Sequence, residues 1–127
     1  MGDSATMKAY LYDNVVSKQK GICSKYEADC LIPGLAERLG ISASALEGKL
    51  PLNGLRHVPN GDTCGWYIWS GDYSADPGFF LPLHVEHVVS EFAQFVTYLG
   101  LPPGWRFMIG EGGYEDVWFD ENLKDLA

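Results

Sequence analysis

Apolar residues recur with two distinct periods in the second half of the chain. Val85, Val88, Val89, Phe92, Val96 and Leu99 fall at i, i+3, i+4, i+7, i+11 and i+14. That spacing is one apolar face of a helix about four turns long. Gly100 ends it, and Pro102-Pro103-Gly104 turns the chain. Elsewhere the period is two. Trp66-Tyr67-Ile68-Trp69 is an aromatic, β-prone run closed by Ser70-Gly71-Asp72, which predicts a strand and a turn. Alternation sends Trp66 and Ile68 to one sheet face and Tyr67 and Trp69 to the other. Asp76-Pro77-Gly78 marks a further turn, with Phe79-Phe80-Leu81 packed behind it. Trp105 to Ile109 and Tyr114 to Phe119 read as a hairpin around the glycine-rich turn Gly110 to Gly113.

The first half is less patterned. Residues 1–20 are polar, with a strand suggested only at Ala9–Tyr12, and Cys23 to Leu31 suits a short helix or a strand alike. Two short helical pieces are expected between Gly34 and Leu50. Leu35 and Leu39 lie one turn apart before Gly40, and Ser44-Ala45-Leu46-Glu47 has the form of a capping box. Pro51, Asn53, Gly54, Pro59, Asn60 and Gly61 mark a loop region around Leu55–Val58. The fold class that results is α+β, one domain over residues 1–127. It has a small antiparallel sheet containing Trp66–Trp69, Trp105–Ile109 and Glu115–Phe119, and one main amphipathic helix packed on it.

Composition narrows the function classes. A chain of 127 residues with 46% apolar and 13% aromatic residues has material for one real core. The net charge of −8 is lopsided: seven Lys/Arg against six Asp/Glu up to Asn60, then two against eleven from Gly61 onward. Such a field disfavours nucleic acid and anionic membranes and favours a basic partner. Three cysteines at irregular spacing and the lack of a signal-peptide pattern or membrane-length apolar run predict a cytoplasmic protein with reduced thiols.

Three constellations carry candidate chemistry. Residues 34–50 resemble the first two helices of a helix-turn-helix reader. The second helix, however, would offer Ser44, Glu47 and Lys49 to the groove, so a DNA-binding regulator is the weakest reading. His84-Val85-Glu86-His87 places two imidazoles at a helix start, suited to two metal ligands with no third fixed. A small metal-dependent or acid/base enzyme using His84, His87 or the acidic hairpin is therefore the alternative. The acidic set Glu111, Glu115, Asp116, Asp120, Glu121 and Asp125 is the densest charge feature, and reads either as a solvated face or as a docking strip. No nucleophile elbow, phosphate loop, dinucleotide fingerprint or zinc-protease motif is present, so no catalytic, cofactor or metal residues are assigned. Aromatics interleave with these acids, and a domain this small has difficulty covering both sheet faces. Trp69, Asp72, Tyr73, Glu111, Tyr114, Glu115, Asp116, Asp120 and Glu121 are accordingly the expected partner-binding residues.

Four words in order, Cys64-Gly65-Trp66-Tyr67-Ile68-Trp69-Ser70-Gly71, Pro82-Leu83-His84-Val85-Glu86-His87, Leu101-Pro102-Pro103-Gly104-Trp105-Arg106-Phe107 and Tyr114-Glu115-Asp116-Val117-Trp118-Phe119-Asp120, carry a resemblance. Together they resemble the immunity proteins of bacterial polymorphic toxin systems, in particular immunity family thirty-three, over roughly residues 61–121. Residues 1–60 are then a variable N-terminal part. The resemblance implies a non-enzymatic protein that neutralises a cognate toxin by direct binding, with no cofactor and no catalytic residues.

Overall fold

The computed structural model describes the backbone of residues 4–124 and the side chains of residues 11–123. Six strands form one sheet: β1 (Arg38–Ser42), β2 (Leu52–Arg56), β3 (Thr63–Ser70), β4 (Phe80–His84), β5 (Trp105–Ile109) and β6 (Glu115–Phe119). Their order is β4-β1-β3-β2-β5-β6. All neighbours are antiparallel except β1 and β3, so the sheet is mixed where the sequence pattern suggested an antiparallel one. Helices α1 (Ser4–Lys25), α2 (Ala43–Leu46), α3 (Val85–Glu91), α4 (Ala93–Val96) and α5 (Glu121–Lys124) complete the domain. The α+β class and the C-terminal hairpin stand as expected.

The first half departs most from its sequence pattern. Ala9–Tyr12 lies inside the 22-residue helix α1, not in a strand. This helix has no strongly apolar face, and its described side chains that are buried are Val15, Gln19 and Cys23, one per turn. The expected helix at Leu35–Leu39 is instead a turn at Leu35–Ala36 followed by the start of strand β1 at Arg38, with Leu39 and Ile41 buried and Gly40 turned to the other face. No helix-turn-helix exists at 34–50. The second piece is helical, but its cap is Ser42, whose Oγ accepts the Ala45 N–H at 3.2 Å, rather than Ser44. The expected loop near Leu55 is partly central strand: β2 covers Leu52–Arg56 between β3 and β5. Gly54 lies there because Phe107 packs over it. A Cβ at position 54 would sit 2.1 Å from that ring.

The long amphipathic helix is also subdivided. Phe92, at φ −123° and ψ 63°, leaves helical geometry and separates α3 from α4. The break rotates the face, so Phe95 is fully buried while Phe92 is only half-buried at the core margin.

One sheet face carries the core. Its rows are Ile68-Gly54-Phe107-Val117 and, at one end, Ser70-Leu52-Ile109-Glu115. Trp66 on this face donates its indole N–H to Leu99 O at 2.8 Å, and Tyr98 stacks on Phe107 at 4.9 Å between centroids. Gln19 of α1 reaches Val96 O at 3.0 Å, joining α1 to α4. The same face buries Arg56. Its guanidinium donates to Cys64 O at 2.9 Å and to the carbonyls of Leu31, Leu101 and Leu99 at 2.7, 2.8 and 3.3 Å. Three chain segments are thereby tied to one side chain, and burial lowers its pKa below the ordinary arginine value.

Candidate interaction surface

Period-two alternation puts a second set of side chains on the opposite face. Strand register makes them rows: Trp69, Asn53, Met108 and Asp116, then Tyr67, Leu55, Arg106 and Trp118. Among the described residues the large core side chains and the contacts of α1 and α4 lie on the other face, so neither of these helices covers this one. Its members are mostly half-buried, packed sideways against one another, with Asp116 and Trp118 exposed.

The β3–β4 connection thickens one end of this face. Tyr67 meets Phe80 at 5.1 Å between centroids, and Trp69 meets Tyr73 at 5.5 Å. Phe79 contacts Phe80 at 4.9 Å and Tyr73 at 5.9 Å. These edge-to-face contacts bury Trp69 to 5% and leave Tyr73 61% exposed. Gly40 floors this cluster. A Cβ there would come within 2.9 Å of the Tyr67 ring.

The carboxylates divide by partner. Glu115 points to the core face, where it accepts from Lys25 Nζ at 2.7 Å, from Tyr98 Oη at 2.5 Å and from the Tyr26 hydroxyl. Burial by itself would raise its pKa; the donors Lys25, Tyr26 and Tyr98 outweigh this and hold it down at about 2. Tyr98 is pushed up, first by burial and then by this carboxylate. Asp120 pairs with Arg106 at 3.2 Å, and the Arg106 guanidinium lies 5.5 Å from the Trp118 ring centroid. Asp72, Glu111, Asp116 and Glu121 are exposed and form no ion pair among the described residues. Asp125 lies outside the described residues.

The two expected clusters leave the sheet at one end. Ser70 and Ile109 pair with Leu52 from opposite sides, so the segments carrying Asp72 and Glu111 emerge about 10 Å apart. Tyr114, 52% exposed, sits in that hairpin turn. His84 and His87 lie elsewhere, on a cleft of about 480 Å³ lined also by Leu11, Tyr12, Leu35 and Val89. His87 Nε2 faces Glu91 at 2.9 Å. Among the described residues no group of three or more His, Cys, Asp or Glu is placed to hold a metal ion, and no helix is long and apolar enough to cross a membrane.

Of the eight residues in the two rows of the open face only Trp69 and Asp116 are among the expected contacts; Asn53, Leu55, Tyr67, Arg106, Met108 and Trp118 are not. Alternation against the buried Phe107 and Ile109 was the available signal for Arg106 and Met108. Leu55 gave none while its segment read as a loop.

The class defined by these features is a two-layer α+β domain with α1 and α4 on one sheet face and an aromatic, acid-rimmed face that they leave open. Its family follows from comparison with known proteins: the chain belongs to the Imm33-like domain family, an immunity-protein family, whose model matches residues 18–120. The match begins well before residue 61 and takes in β1 and β2 together with the later strands. No curated protein and no solved structure matches the chain.

Proposed function

We propose that this protein is an immunity protein that neutralises a cognate bacterial toxin by direct contact and performs no chemistry of its own. The observation that carries the reading is the open, aromatic sheet face with unpaired carboxylates at its rim, in a chain of an immunity family. The partner is a protein with a basic face. Asp72, Glu111, Asp116 and Glu121 speed its approach, and Tyr73, Tyr114 and Trp118, with Trp69 behind them, supply the short-range anchors. Glu115 and Asp120 act behind these, holding the hairpin in shape.

The test is calorimetric binding to the toxin domain encoded in the neighbouring gene, carrying an inactivating substitution. Wild-type protein should bind it and protect cells that express the active form. Asp72→Lys with Asp116→Lys should slow association, most at low salt where screening is weakest. Tyr73→Ala should instead speed dissociation. A wild-type chain that neither binds that domain nor protects the cells would refute the reading.

A further inference from the structure

The sheet has two edges, and its hydrogen bonds fix which backbone groups each edge turns outward. At β4 the Val85 N–H donates to Glu37 O at 2.9 Å. Continuing the register, Leu83 and Leu81 bond inward to β1, and His84, Pro82 and Phe80 face outward. The central outward position is therefore a proline with no N–H to offer, which blunts that edge. At β6 the Asp120 N–H donates to Gly104 O at 2.8 Å, and the Gly110 N–H to Tyr114 O at 3.0 Å. Asp116 and Trp118 therefore bond inward to β5, and Glu115 and Val117 turn N–H and C=O away from the sheet. β6 ends the strand order, has no proline or lysine, and keeps an unbroken register with β5. Among the described residues no such device blunts the β6 edge at Glu115 and Val117.

A strand added beside β6 would extend the open face, placing alternate side chains next to Asp116 and Trp118. Asp116 is exposed and in no ion pair among the described residues, and Trp118 is 36% exposed. Opposite charge fits the first and an apolar side chain the second. A second copy of this chain would bring another charge of −8 to the same edge, and is disfavoured.

Resting on the proposed function, we infer that β6 receives an extended strand of the toxin. That strand carries Lys or Arg beside Asp116 and, two residues away, an aromatic or β-branched residue beside Trp118. Main-chain hydrogen bonds from Glu115 and Val117 supply affinity, and the two side-chain positions supply selectivity.

Val117→Pro tests the inference, because it removes an outward N–H and leaves the inward ladder to β5 intact. Its urea midpoint should fall somewhat, because Val117 also packs beside Phe107 on the core face, and the Kd of the folded variant for the inactivated toxin domain from the neighbouring gene should rise at least about tenfold. In wild-type protein, the Glu115 and Val117 amides should exchange fast when free and become protected in the complex. This second readout decides the matter if the proline variant fails to fold. Amides that stay fast in a complex that forms would overturn the added strand and leave the immunity reading standing. Protection that grows with protein concentration in the absence of toxin would assign the edge to a second copy and overturn it also. A wild-type chain that does not bind the domain overturns both readings.

Discussion

Replacing Glu115 with Gln keeps the shape of the side chain and removes its charge, so it isolates what the carboxylate does. The wild-type group is mostly buried, with 22% of its side chain exposed, and it joins the end of α1 and residue 98 to the edge hairpin through three donors. Its pKa falls from an ordinary 4.5 to about 2. At about 1.4 kcal/mol per unit, discounted for the solvent-exposed Lys25 ammonium, ionisation of Glu115 stabilises the fold by about 2–3 kcal/mol at neutral pH. For a domain of this size that is a drop of roughly 10 °C in Tm for Glu115→Gln. The sign follows from the depressed pKa. The increment is fully present above the unfolded value and is lost as pH falls through the folded one. Urea titrations from neutral pH downward should therefore show variant and wild type converging below pH 4.5. Equal midpoints at neutral pH, or a gap that does not narrow on acidification, would refute the reasoning.

Other substitutions probe the rest of the fold. Arg56→Lys should cost about 3 kcal/mol in denaturant titration, because one ammonium cannot reach the four carbonyls that the guanidinium serves. Gly65→Ala should cost about 3 kcal/mol or more and lower the soluble yield. Gly65 has φ +95°, and an added Cβ would meet His57 O at 2.0 Å. Phe95→Ala should cost about 3–5 kcal/mol and the half-buried Phe92→Ala clearly less, reversing the rank that helical periodicity assigns; paired thermal melts decide it.

The parts of the fold legible in sequence are those where local pattern and tertiary role agree. The β5–β6 hairpin carries strict alternation and a glycine turn, and β3 holds Trp66, Tyr67 and Trp69 at its centre, so both are strands as read, β3 running on to Thr63 and Ser70. Misreadings concentrate at glycine. Gly40 looked like a helix terminator and Gly54 like part of a loop, but each lies within a strand because an aromatic ring occupies the space of its missing side chain. That requirement is set by Tyr67 and Phe107, far away in sequence, and no local window contains it. α1 escaped for a different reason: among the described residues its buried stripe is one residue wide and includes Gln19, leaving almost no apolar periodicity to detect. The helix around Phe92 was legible as a helix, but the kink that moves the core contact to Phe95 was not.

The same distance effect governs the candidate site. The pattern placed Trp69, Tyr73, Tyr114 and the acids in one region, and the shared end of the sheet brings their segments near each other. It also grouped Glu115 with its neighbours as one strip, because a run of carboxylates carries no mark of where each one points. The partners that separate Glu115 from Asp116 are Lys25 and Tyr26, 90 and 89 residues away on the far side of the chain. A charge reversal at Glu115, Asp116 and Asp120 together would therefore mix two effects. It would break the Lys25–Tyr26–Tyr98 anchor and the Arg106 pair, loosening the hairpin, while also altering the exposed charge. Lost binding in that triple variant would say nothing about docking. Among the described residues Asp72 and Asp116 have no such partners, so reversing only these changes the field at the open face and leaves the hairpin's supports in place. The contrast between the two sets of variants, one unstable and one stable, separates a carboxylate that builds the fold from one that faces a partner.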